Sequence, residues 1–178
     1  MTLPSAMRNG FFACGEKENT EMKMNSRYTL RRADEQDVPK IAEIEALIFS
    51  DAWSTGAIRE TLASPCSHAS VVTDPQGRIA AYCLGTRIPP EGEILRIATL
   101  PEHRRQGLAQ ALLADAAEGL DCLYLEVRAQ NLPALSLYRS FGFTENGRRE
   151  RYYQNPTDDA ILLGFSPSSP KTETKDEP

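Results

Sequence analysis

Apolar and polar positions alternate over residues 28–32, which predicts a first strand. Asp34 then offers a side-chain oxygen to cap a helix, and Pro39 is tolerable only near that helix's first turn. Ile41, Ile44 and Ile48, with neighbouring Leu47, form an apolar stripe at helical spacing. Ser54 is placed to cap a second, short helix ending near Ser64 and Pro65. Strand-like runs follow at 69–73 and 78–87. They are joined by Asp74-Pro75-Gln76-Gly77, whose proline in second place and glycine in fourth fit a type I turn. Residues 93–100 read as another strand. After Pro101-Glu102-His103 the pattern turns helical, with Leu108, Ala111, Leu112 and Ala116 on one face. Residues 122–127 are rich in strand formers, and 134–141 are helical again, with Leu135, Tyr138 and Phe141 clustering. Gly142 fits the end of that helix, since glycine accepts the left-handed conformation. Residues 151–153 and 160–165 complete an order β-α-α-β-β-β-α-β-α-β-β. The expected fold class is α/β in the mixed α+β sense, a mixed sheet with helices packed on it.

The two ends differ from the middle. Residues 1–26 show no period and read as a mobile leader, in which Met22 and Met24 offer later starts for translation. Residues 166–178 are too polar and proline-rich to pack. One domain over residues 27–165 is therefore expected, which suits a chain of 178 residues. No apolar run approaches the roughly 20 residues of a membrane span. The patch Phe11-Phe12-Ala13 is far below a signal-peptide core, so a cytoplasmic protein without membrane contact is expected.

Charge narrows the partners. A net charge of −5 argues against a general nucleic-acid binder and leaves room for a basic peptide. Cys14, Cys66, Cys83 and Cys122 are irregularly spaced, and only two histidines accompany them, so neither a metal site nor a structural disulfide is expected. His68 and His103 read as surface residues.

The segment Arg104-Arg105-Gln106-Gly107-Leu108-Ala109 lies between a predicted strand and an alanine- and leucine-rich helix. The first amides of a helix lack internal acceptors, and the helix dipole adds partial positive charge there. Gly107 lets an anion approach the backbone, Ala109 keeps the next contact small, and the two arginines add formal charge. These parts suit a diphosphate. The spacing is neither a Walker loop nor G-x-G-x-x-G. By chemistry alone, a solvated basic helix start is the other possibility.

That segment resembles the Q/R-x-x-G-x-G/A motif of the GNAT superfamily, the Gcn5-related N-acetyltransferases, where it binds the pyrophosphate of acetyl-CoA. Ile94-Leu95-Arg96-Ile97-Ala98-Thr99 looks like the family's splayed central strand. Leu137-Tyr138-Arg139-Ser140-Phe141-Gly142-Phe143 looks like its L-Y-x-x-x-G-F signature. The resemblance spans residues 28–165 and implies a splayed mixed sheet of about six to seven strands flanked by about four helices. Ala52-Trp53-Ser54, Leu125-Glu126-Val127-Arg128-Ala129-Gln130-Asn131, Arg151-Tyr152-Tyr153 and Asp159-Ala160-Ile161 resemble the RimI-type branch. Those enzymes acetylate the N-terminal alanine of a small-subunit ribosomal protein. Ala109 stands where many members have glycine, and Gln130 where serine is frequent.

The resemblance implies acetyl-CoA as co-substrate and no metal. It also implies a protein N-terminal peptide, of a ribosomal protein, as acceptor, with no direct nucleic-acid contact; a monomer or weak dimer is expected. Glu126 is the implied base. By pattern alone it reads rather as a carboxylate on the solvated face of a half-buried strand. Tyr138 is the implied acid, since a phenol can protonate a departing thiolate; by pattern alone it is a core aromatic. Asn131, two helical turns before Tyr138, caps its helix, contacts cofactor, or does both. The backbone of Ile97, Ala98 and Thr99 is implied to hold the pantetheine arm like an added strand, and an amide there to face the thioester oxygen. Arg104, Arg105, Gln106, Gly107, Leu108, Ala109 and Gln110 complete the cofactor contacts. Trp53, Tyr152 and Tyr153 are candidates for the peptide groove, Trp53 reading equally as a core anchor. A small amine or a lysine side chain as acceptor, or a non-catalytic acyl-CoA-binding module, are the other possibilities. Glu126 and Tyr138 together argue against the last, because a pure binder needs neither.

Overall fold

The computed structural model describes residues 24–167; most of the leader, with Cys14, and the tail from residue 168 lie outside the described residues. The chain runs through β1 (Thr29–Arg32), α1 (Val38–Ile48), α2 (Thr55–Ala63), β2 (Ser67–Thr73), β3 (Ile79–Ile88) and β4 (Glu91–Thr99). It continues through α3 (Leu108–Ala117), β5 (Cys122–Arg128), α4 (Leu132–Phe141), β6 (Thr144–Gln154) and β7 (Thr157–Phe165). The order matches the expected one. The strands form one sheet in the order β1-β2-β3-β4-β5-β7-β6. Among the described residues only β4 and β5 run parallel, joined by the crossover through α3.

The first part of β3 is covered on both faces, so residues 79–85 are buried without a break. Along β3, Ala81 and Cys83 join the core under α3 and α4, while Tyr82 and Leu84 join the core under α1 and α2. Leu108, Leu112 and Leu113 of α3 seal the first face; Ile41, Ile44 and Ile58 seal the second. Each such side chain contributes about 1.5–3 kcal/mol by leaving water.

Capping residues end up where the sequence places them. Asp34 caps a short 3-10 turn leading into α1, reciprocally with Asp37, and Ser54 Oγ accepts from Ala57 N at 3.2 Å. Gly142 ends α4 in the left-handed conformation, φ 119°. The turn at residues 74–77 closes with Gly77 N donating to Asp74 O at 2.9 Å.

Three expectations need correction. Leu47 is 66% exposed; the position it was given in the α1 stripe belongs to Glu45, which stands at i+4 from Ile41 and is fully buried. His68 is buried, 3% exposed, with Nε2 3.0 Å from Asp115 Oδ2 and Nδ1 2.9 Å from Arg32 Nη1. The strand expected at 151–153 begins at Thr144. Its run TENGRRE lies at the sheet edge with almost every side chain exposed, so it carries no apolar alternation to read.

The feature that shapes the site is in β4. Ile94 lies opposite Gly85 and Arg96 opposite Leu84, leaving Leu95 as the extra residue of a bulge. On its other side β4 pairs with β5 only through residues 91–94 against 122–125. Beyond that point β5 stays with β7 as far as Arg128 opposite Ala160. Residues 95–99 have no partner on β5, and the sheet opens there.

Candidate functional site

Gly107 is the N-cap of α3, left-handed at φ 77° and without a side chain to cap the helix. The first amides of α3 are therefore offered to an external acceptor. Arg105 is also left-handed, φ 59°, which is unusual for a residue other than glycine. Thr99 Oγ1, at the end of β4, and Gln110 Oε1, in the first turn of α3, are buried without hydrogen-bond partners among the described residues. Buried polar atoms are rarely left so. The uncapped helix start suits an anion here, while the Thr99 hydroxyl and the Gln110 amide oxygen offer polar partners on its flanks, the latter as an acceptor only.

On β5 alternate residues divide between the faces: Leu123, Leu125 and Val127 are buried under α3 and α4, while Tyr124, Glu126 and Arg128 are half-buried on the opposite side. Glu126 is the first residue of β5 past the point where β4 leaves it. It lines a cleft of about 570 Å³ with Glu91, Glu93, Tyr124 and Arg149. Arg149 Nη1 approaches Glu126 Oε1 to 2.8 Å.

Tyr138 projects from α4 into the first core, with Phe143 edge-on at 5.7 Å between ring centroids. Burial, and then the Cys83 thiol and Tyr153, hold its phenol above the usual tyrosine value. Burial, and then the Glu126 carboxylate, do the same for Tyr153. Tyr153 is thus the electrostatic neighbour of both expected catalytic groups. Asn131 caps α4, its Oδ1 accepting from Ala134 N at 3.2 Å.

The α1–α2 loop and the β6–β7 turn meet over this face. Ser50 Oγ donates to Asn155 O at 2.9 Å, and Arg128 donates to Pro156 O at 2.9 Å while stacking 4.2 Å over the Tyr153 ring. Tyr152, half-exposed, lies edge-on to Tyr153 with Arg149 over its other side. Trp53 is half-buried against the second core and over Arg96, 5.1 Å from its guanidinium; like Tyr152 and Tyr153 it does not line the cleft around Glu126.

Several residues of this region were missed in the sequence. Buried Glu45 accepts from the Tyr82 hydroxyl and, through Oε2, from Trp53 N at 2.9 Å. Arg96 reaches Asp51 O at 3.0 Å and lies 4.9 Å from the Phe49 ring centroid. Glu45 was detectable as a carboxylate inside an apolar helical stripe. Arg149 was not, since it is one arginine in a polar run.

A model of the acetyltransferase (GNAT) family matches residues 38–143. The N-alpha-acetyltransferase RimI of Mycobacterium tuberculosis is 38% identical over 143 residues, 75% of this chain and 87% of its own length. The ribosomal protein bS18-alanine N-acetyltransferase of Escherichia coli K12 is 33% identical over 146 residues, 77% of this chain and 96% of its own. The crystal structure of the Escherichia coli ribosomal-protein-S18-alanine N-acetyltransferase superposes with a TM-score of 0.72 at 29% identity, over 80% of this chain and 96% of that one. An opened mixed sheet, an uncapped helix start beside it and this agreement over most of the chain lead to one assignment: the protein belongs to the GNAT family of acetyltransferases.

Proposed function

We propose that the protein moves acetyl from acetyl-CoA to the α-amine of a protein N-terminus, with the N-terminal alanine of ribosomal protein S18 as acceptor. The parting of β4 from β5 beyond Ile94 and Leu125, with Glu126 as the next residue on β5, supports this most directly. It leaves backbone groups unpaired beside a carboxylate that lines a cleft with Glu91, Glu93, Tyr124 and Arg149. The names of the RimI-type relatives supply the acceptor.

The amides at the start of α3, with Arg104, Arg105 and Gln106, hold the diphosphate, and Leu108, Ala109 and Gln110 follow it into the helix. The backbone of Ile97, Ala98 and Thr99 holds the pantetheine arm as an added strand, with Asn131 beside it. Acetyl-CoA supplies the activated acyl group as a thioester. An α-amine has a pKa near 8, so a fraction is neutral at pH 7 and can attack. As its nitrogen bonds to the carbonyl carbon, Glu126 takes the proton the amine loses, and a β4 amide donates to the carbonyl oxygen as charge collects there. The carbon–sulfur bond breaks, and Tyr138 gives its proton to the departing sulfur. Tyr152 and Tyr153 line the acceptor side.

Acetyl transfer to peptides beginning Ala-, Ser- and Met-, to an N-terminally blocked peptide containing lysine, and to small polyamines tests this. Selective acetylation of the Ala-terminated S18 peptide is expected. Activity confined to polyamines would overturn the acceptor assignment while leaving the chemistry in place.

A further inference from the structure

The residues that enter the fold ahead of β1 reach the loop before α3. Asn25 donates its backbone N–H to Gln106 O at 3.0 Å and its side-chain amide to Gln106 Oε1, also at 3.0 Å. Its side-chain oxygen is held in turn by Arg27 N at 3.1 Å, which fixes the way the amide points. Three residues on, the Tyr28 hydroxyl hydrogen-bonds His103 Nδ1 at 2.9 Å, and the two rings meet edge to face with centroids 5.7 Å apart. Met24 and Tyr28 both pack against the core beneath α3, so this short segment is anchored at each end.

The loop it grips is residues 103–107, which contains the left-handed Arg105 and Gly107. A non-glycine residue keeps such a conformation only where its surroundings hold it. The grip falls on both sides of Arg105: Tyr28 on His103 and Asn25 on Gln106. From α3 itself the loop receives no side-chain cap, only the ordinary helical bond of Ala111 N to Gly107 O at 3.0 Å. Asn25 and Tyr28 also precede the residues matched by the family model, which start at 38.

We propose that Asn25 and Tyr28 are positioning residues for coenzyme A: they fix the 103–107 loop in the shape that presents the α3 amides and both arginines to the diphosphate. This rests on that loop being the pyrophosphate site. Neither residue touches the reacting atoms, so their removal weakens cofactor binding and leaves the transfer step alone.

The experiment uses the full chain, with coenzyme A titrated by calorimetry and steady-state acetyl transfer measured beside it. Asn25→Ala and Tyr28→Phe are compared with wild type and with Ala109→Glu, a control that places a carboxylate in the first turn of α3. A glutamate there suits the helix start, so the control folds, yet it repels a diphosphate. Each positioning variant is expected to raise the Kd for coenzyme A and the KM for acetyl-CoA about three- to ten-fold, the loss of one or two net hydrogen bonds. Saturated kcat and acceptor KM stay within about two-fold of wild type, and Tm moves by no more than a few degrees. If Ala109→Glu abolishes binding while both positioning variants bind as wild type, the proposal is wrong and the loop assignment stands. If Ala109→Glu binds as wild type, the loop assignment itself is wrong. Parallel changes in kcat, acceptor KM and Tm would make Asn25 and Tyr28 merely structural and overturn the proposal.

Discussion

Arg149 on β6 holds Glu126 on β5 at 2.8 Å, reaching across the intervening β7. The contact is made to Oε1; on the proposed reading Oε2 would be the oxygen that takes the proton of the amine. As a half-exposed pair it adds little to stability, about 0–1 kcal/mol. On the proposed reading its use would be to aim the carboxylate.

Glu126→Gln is therefore expected to lower kcat by about 100-fold or more, the range for a positioned base, with the KM for acetyl-CoA unchanged. Arg149→Met is expected to lower kcat only about three- to ten-fold, as lost aim rather than lost chemistry. Steady-state kinetics on both variants decide this. Equal loss of turnover and cofactor affinity in Glu126→Gln would make the residue structural.

Tyr138→Phe keeps the ring that packs against Phe143 and removes only the hydroxyl. Turnover should fall about ten- to a hundred-fold while the melting temperature holds. Because burial raises the Tyr138 phenol above its usual value, the group stays protonated through neutral pH, and no alkaline loss of activity below pH 10 belongs to it. A pH–rate profile of wild type against Tyr138→Phe checks this; a limb near neutrality that disappears in the variant would refute it.

Much of this was legible in the chain, and what was not has physical reasons. The order of elements followed from period and caps, because Ile41, Leu112 and Leu135 face cores that demand them. The loop at Arg104 to Ala109 and the segment around Glu126 were visible as motifs. The first half of β6 was not, because an edge strand with both faces in water keeps no alternation. His68 was misplaced because a buried histidine is betrayed by its partners, here Asp115 and Arg32, which lie 47 and 36 residues away in sequence. The grip of Asn25 on Gln106 spans 81 residues and has no local signature.

Glu45 is the most exacting polar group in the second core. Replacing it by Leu removes the acceptor for the Tyr82 hydroxyl and for Trp53 N and leaves Arg96 beside an apolar surface. The expected cost is about 3–5 kcal/mol. Glu45→Gln keeps the shape and should cost less than half of that. Denaturant titration separates them; two equal, small losses would show that the network is dispensable.

Gly85 faces the bulge of β4 so closely that a Cβ there would stand 2.4 Å from Glu93 O. The obstacle is backbone and cannot swing aside. Gly85→Ala is expected to cost about 1–3 kcal/mol and to weaken acetyl-CoA binding, since the bulge sets where β4 departs from β5. Gly147→Ala, which meets nothing within 4 Å, serves as the neutral control. Thermal melts of the two variants suffice.

Asp115 supplies an acid-sensitive tie. The His68 contact, foremost, with Ser70 and Arg32, holds its carboxyl below the ordinary value of 3.8. A depressed folded value means stability that is present above about pH 4 and lost as pH falls below it. Asp115→Asn should flatten that acid limb and lower the plateau at pH 7. Urea midpoints from pH 3 to 7 read both.

The sheet also has a seam. Among the described residues its two leaves, β1 to β4 and β5 to β7, are paired strand to strand only along residues 91–94 and 122–125, with Pro90 O accepting from Asp121 N and Cys122 N at the end of that stretch. Elsewhere along that line no strand bridges them. On the proposed reading, a pantetheine arm against Ile97, Ala98 and Thr99 would act as a splint, completing hydrogen bonds that β5 does not supply there. Ligand occupancy should then slow amide hydrogen exchange selectively along the outer half of β4. The proposed co-substrate would then become, for as long as it is bound, the missing rung of the architecture.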